Sequence, residues 1–181
     1  MDSQIPNRAV QEWIEDGKMI SDVRLIRPET TYGNSRFDLY VETGENRIFI
    51  EVKGVTLEED GVCRFPDAPS DRAVKHLEEL IRAKKEGYET YVFFVIQMKN
   101  VKYFTPNTDT HPEFAEALKK AAAAGVKILA FDCEVTPESI EICSPVDVVL
   151  ESPRLKETVF PLVEWFRKKK RDLPWRGRMN A

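Results

Sequence analysis

The chain has 181 residues, a net charge of −4 and a hydrophobic fraction of 42%, enough for one globular domain with a substantial core and some chain to spare. No apolar run approaches the ~18 residues that cross a bilayer, the opening MDSQIPNRAV is too polar for a signal peptide, and the cysteines and histidines lie scattered without a CxxC pair. These features argue against a disulfide framework and a structural zinc site and fit a reducing cytoplasm; the acidic balance argues against a nucleic-acid footprint over the whole surface, though not against a local one.

Residues 8–15 carry a helical pattern that ends near Gly17, and 23–26 read as a strand. The stretch RFDLYVETGENRIFIEVKG (36–54) reads as a hairpin with strands over 36–42 and 47–53. Gly44-Glu45 fits a two-residue loop with glycine at its first central position. That loop pairs Asp38 with Glu51 and Arg36 with Lys53. Alternation then puts Phe37, Leu39 and Val41 with Ile48, Ile50 and Val52 on one apolar face. The other face holds Arg36, Asp38 and Tyr40 with Phe49, Glu51 and Lys53.

Residues 55–64 form a further extended piece turning at Asp60-Gly61. Ser70 caps a helix through about Lys85, with Ala73, Val74, Leu77, Leu80 and Ile81 on one stripe, and Gly87 closes it. YVFFVIQM (91–98) is apolar throughout, as in a strand covered on both faces. A helix over 112–124 stops at Gly125, a buried strand follows over 126–133, and 134–143 finish the sheet. The expected class is α/β, a mixed sheet with flanking helices: an antiparallel hairpin first, then strand–helix–strand units.

Opposed carboxylates on neighbouring strands repel unless something positive lies between them. A divalent cation answers that need, since Mg²⁺ (or Mn²⁺) favours one or two carboxylates plus waters and phosphate oxygens. Lys53 points to the same side, where it could orient or deprotonate the attacking water. Such a set suits phosphodiester hydrolysis. A solvated sheet face of mixed charge satisfies the same pattern, and a D…ExK spacing recurs easily by accident. Asp38, Glu51 and Lys53 are the candidate catalytic residues. Asp38 and Glu51 are the candidate metal ligands, with the Val52 carbonyl as a third.

Arg36 beside this face, and Arg72, Lys75 and His76 at the start of the second helix, are the candidate nucleic-acid contacts. A solvated helix face explains the latter three equally well, and His76 also suits a buried, hydrogen-bonded histidine. Gln97 ends a core strand, either reaching the site or satisfying backbone groups. Tyr103, Phe104 and Phe114 read as core.

Taken together, RFDLYVE with FIEVKGVTLEEDG (36–61), RFPDAPSDRAVKHLEELI (64–81) and FVIQ (94–97) resemble the sugar fermentation stimulation protein family. Its members look like restriction-endonuclease-type, PD-(D/E)XK nucleases. The match runs from about Gln4 to Ile142, and FPDAP followed by a KHLxEL helix is far rarer than the carboxylate–lysine triplet alone. The resemblance implies that Asp38, Glu51 and Lys53 are the nuclease-motif positions and that DNA is the partner. It also implies, as the alternative to a Mg²⁺-dependent nuclease, a non-catalytic DNA-binding module regulating sugar metabolism.

Nucleases of this type often add a metal-site carboxylate from the first helix, for which Glu12 is the candidate and Glu15 the second. Asp67, in FPDAP, is a candidate helix cap or site residue. Family members usually carry a preceding OB-like domain; SQIPNRAVQEWIEDG (3–17) resembles the segment that joins it. The expected division is a nuclease-like domain over 1–150 and a C-terminal helix with a basic tail over 151–181. Within that tail, LVEWFRKKKRDLPWR resembles the opening of helix-hairpin-helix DNA glycosylases, implying a fused or associated glycosylase as a partner. A homodimer is compatible with this reading, and a membrane partner is not expected.

Overall fold

The computed structural model describes residues 4–137 and 139–151; the expectations for the C-terminal helix, basic tail and glycosylase-like stretch lie outside the described residues. The elements are α1 (Ile5–Glu15), β1 (Val23–Tyr32), β2 (Ser35–Thr43), β3 (Arg47–Val55), β4 (Leu57–Glu59), β5 (Val62–Phe65), α2 (Asp71–Lys85), β6 (Glu89–Ile96), β7 (Tyr103–Pro106), α3 (Pro112–Ala123), β8 (Lys127–Val135) and β9 (Ile140–Pro145). A six-stranded mixed sheet runs β1-β2-β3-β6-β8-β9, and a small sheet runs β4-β5-β7. In the main sheet β3, β6 and β8 are parallel, flanked by the antiparallel pairs β1–β2, β2–β3 and β8–β9. The architecture is the expected α/β class, a mixed sheet with flanking helices.

Both faces of this sheet are covered, so the central strand β6 is apolar from Tyr91 to Ile96. In β6, Val92, Phe94 and Ile96 face one core with α2, α3 and the small sheet. Phe93 and Val95 face the other, against Val10 and Ile14 of α1. On the first side Phe94 stacks on Phe104 with ring centroids 4.1 Å apart. Phe104 and Phe114 are fully buried, as expected. Among the described residues no helix is long and apolar enough to cross a membrane.

Several expectations change in extent. β1 continues six residues beyond Ile26, to Tyr32. It is an edge strand, which tolerates Pro28 and shows mostly polar side chains to solvent, so its apolar alternation fades. Residues 55–64 split into β4 and β5 around the Asp60-Gly61 turn, where both residues have positive φ (53° and 83°), and they join β7 rather than the main sheet. β7 escaped the sequence because four residues ending in proline carry little periodicity. Ser70, not Asp67, caps α2: its Oγ accepts the Ala73 N–H at 3.3 Å, while Asp67 is exposed.

Candidate metal and nucleic-acid site

The β2–β3 register is the expected one, with Leu39 opposite Ile50 and Glu42 opposite Arg47. The turn differs. Gly44 does not have positive φ, so it is not the glycine-first type; Thr43 Oγ1 instead accepts the N–H groups of Glu45 and Asn46, at 3.3 and 2.9 Å. The Gly44 N–H donates to Asp22 Oδ2 at 3.0 Å, so side-chain bonds rather than glycine's left-handed freedom hold the two-residue connection.

At its other end the ladder stops at Leu39–Ile50, one step before the expected Asp38–Glu51 pair. Beside this point Glu29 has a φ of 52°, between the β1 residues paired with Leu39 and Phe37. The alternation breaks here. Phe37 packs with Tyr40 and Phe49 on the α2 side, while Leu39 and Val41 face α1. Asp38 turns into the fork: its Oδ2 accepts the Val52 N–H at 2.7 Å and its Oδ1 accepts Asn7 Nδ2 at 2.8 Å. The two carboxylates therefore meet at the end of a ladder, not across one. Arg36 does not face Lys53; it is exposed and pairs with Glu29 at 3.6 Å.

Glu51 is 2% exposed. Its Oε1 bonds to His76 Nδ1 and accepts Lys53 Nζ at 2.6 Å, whereas its Oε2 is buried without a hydrogen-bond partner. Burial works to raise the Glu51 pKa, but the His76 hydrogen bond and the Lys53 charge outweigh it and hold the carboxyl below its usual value. Asp38 moves the other way. Burial and the neighbouring Glu51 charge raise it from 3.8 to about 6, against the lowering effect of the Val52 N–H, Lys53 and Asn7. Perturbed carboxylates of this kind cluster at functional sites.

These donors fit a hard divalent cation. An unpaired, buried carboxylate oxygen is costly unless something positive uses it, and oxygen ligands are what Mg²⁺, Mn²⁺ and Ca²⁺ take. Among the described residues no group of three His, Cys, Asp or Glu side chains could hold a metal ion. The protein would thus supply Asp38, Glu51 and a backbone carbonyl, leaving other positions to water and phosphate, as Mg²⁺ prefers. Glu12 does not join them: it is exposed, and at ~100° per residue it sits about 140° around α1 from Asn7. Asn7 is the α1 residue that touches the site. Its signal was a polar residue at i−3 and i−7 from buried Val10 and Ile14.

Arg36, Arg72, Lys75 and His76 do come together, lining a surface hollow of about 530 Å³ with Asn34, Ser35 and Asp71. Lys75 Nζ donates to the Asn34 carbonyl at 2.9 Å, which holds its charge over the rim. His76 departs from the expected phosphate contact. It is 5% exposed, with one ring nitrogen on Glu51 and the other accepting Arg72 Nε at 3.5 Å, so the buried, hydrogen-bonded reading is the right one. Gln97 packs over Gly54, where an added Cβ would stand 2.8 Å from its Nε2 and 3.2 Å from Pro6 Cγ. Gly54 thus lets the start of α1 approach β3 beside the site.

Residues 4–139 match the family model described as the sugar fermentation stimulation protein RE domain. The chain belongs to the sugar fermentation stimulation protein family. The family homologue of Clostridium beijerinckii is 59% identical over 150 residues, covering 83% of this chain and 66% of the relative. That of Ruminiclostridium cellulolyticum is 56% identical with the same coverage. The homologue of Desulfitobacterium hafniense (strain DSM 10664 / DCB-2) is 57% identical over 141 residues, covering 78% and 61%. The chain spans slightly less than two thirds of these relatives' length. Among solved structures it is similar to Pyrococcus furiosus SfsA in complex with Ca²⁺, with a TM-score of 0.76 and 30% identity over 82% of this chain and 65% of that one.

Proposed function

We propose that this family member is a DNA-binding, divalent-metal-dependent nuclease, hydrolysing phosphodiester bonds with Mg²⁺ or Mn²⁺. The observation that carries this reading is the unpaired, buried Oε2 of Glu51 beside Asp38 and Lys53. The Ca²⁺ complex of the Pyrococcus furiosus relative adds support. Asp38 Oδ and Glu51 Oε2 would hold the cation, with the Val52 carbonyl as a third ligand. A bound divalent cation supplies Lewis-acid chemistry at the phosphate and the attacking water. Asn7 and the Val52 N–H fix the rotamer of Asp38. The Lys53 ammonium, 2.6 Å from Glu51 Oε1, orients the water and offsets charge developing on the phosphate. Arg36, Arg72 and Lys75 grip the DNA backbone through the hollow, a local basic footprint on an acidic chain.

The test is incubation of purified protein with double-stranded, single-stranded and branched DNA in Mg²⁺ and Mn²⁺, beside Asp38→Asn. Cleavage by the wild type alone, with calorimetric Mn²⁺ binding lost in the variant, supports the reading. Occupied metal sites with no cleavage of any substrate would leave the alternative, a non-catalytic DNA-binding module regulating sugar metabolism; the relatives' name points only to sugar fermentation.

A further inference from the structure

Glu51 has two carboxylate oxygens, and the hydrogen bonds fall on one of them. Oε1 carries both His76 and Lys53, while Oε2 carries neither. A free carboxylate presents either oxygen, or both, to a cation; this one is held in a single orientation.

The tautomer of the ring follows from its neighbours. A guanidinium donates and never accepts, so the Arg72 Nε contact, at 3.5 Å, favours an unprotonated Nε2. The neutral ring then carries its hydrogen on Nδ1, the nitrogen facing Glu51. Packing holds the ring there: His76 is buried on α2 beside Ala73, Leu77 and Leu80, edge-on to Phe37 with centroids 6.2 Å apart. Arg72 also lines the nucleic-acid hollow, so one side chain touches both that hollow and the imidazole behind the metal ligand.

We propose that His76 is a positioning residue of the metal site: its Nδ1–H holds Oε1 of Glu51 so that Oε2 alone is presented to the cation, and Arg72 selects the tautomer that permits this. The proposal rests on the metal-site reading above and adds to it a single-oxygen binding mode and a second layer of residues. Outer partners of this kind are typically worth about 10–100-fold in metal affinity.

The experiment uses metal-free protein and Mn²⁺ alone, without DNA. Nitrogen-15 NMR of the two histidine rings should show the His76 hydrogen on Nδ1 rather than Nε2. His111 serves as the internal contrast: its Nδ1 accepts the Ser70 N–H at 3.2 Å, which puts its proton on Nε2. Calorimetry should show His76→Leu binding Mn²⁺ about 10–100-fold more weakly, with His76→Asn, which keeps an N–H donor, within a few-fold of wild type. Arg72→Ala, at an exposed position, should weaken binding several-fold and move part of the His76 population to the Nε2–H form, which keeps the test decisive if His76→Leu does not fold. Equal affinity in wild type and His76→Leu, equal losses in the Leu and Asn variants, or a wild-type His76 protonated on Nε2 would each overturn the proposal. Wild-type protein that binds no Mn²⁺ would overturn the metal reading itself, and this inference with it.

Discussion

Lowering the pH from 7 to 5 should weaken Mn²⁺ binding about tenfold, and the group responsible should be Asp38. Burial and the charge of Glu51 raise its pKa to about 6, so roughly nine-tenths of the carboxyls are ionised at pH 7 and roughly one-tenth at pH 5. A cation must displace that proton, which makes the apparent affinity proton-linked in this window. Glu51 does not share the effect, because its pKa lies below the usual value. The sign for stability is the opposite of the ordinary carboxylate case. A folded-state pKa above the unfolded one favours the metal-free fold in acid; that contribution is complete below about pH 4 and is lost as the pH rises through about 6. Calorimetric Mn²⁺ titrations at pH 5, 6 and 7, in buffers of different ionisation enthalpy, read both affinity and proton release. Affinity that stays flat across the window, or binding with no proton released at pH 6, would refute the reasoning from burial and charge.

Lys53→Ala should stay folded and still bind Mn²⁺, yet lose about 10²–10³ in cleavage rate, as removal of a preorganised charge does elsewhere; cleavage assays with calorimetry on the same samples check this. Lys75→Ala and Arg36→Ala, both exposed, should each weaken DNA binding without sequence preference and lower the slope of log affinity against log salt by about one, measured by fluorescence anisotropy at several salt concentrations. Ser70→Ala should destabilise the protein by about 1 kcal/mol through loss of the α2 cap, read from urea midpoints, with metal binding unchanged.

The sequence by itself determined the elements whose burial is periodic or complete. The stripe of α2, the apolar β6 and β8 and the register of the β2–β3 hairpin follow from which side chains avoid water, and each can be read from neighbours along the chain. It also singled out Asp38, Glu51 and Lys53, because charges are rarely placed among residues meant for a buried sheet. What it could not supply was the break in alternation at Asp38. That break coincides with the positive φ of Glu29 in β1 and with the end of the β2–β3 ladder, features of the two neighbouring strands. Nor could it place Asn7 against Asp38 or His76 against Glu51, contacts between residues 31 and 25 apart in sequence. Helix periodicity tells which residues share a face but not what that face meets. The packing of α1 and α2 on opposite sides of the sheet decides it, and so turns Glu12 toward solvent and His76 toward the carboxylate.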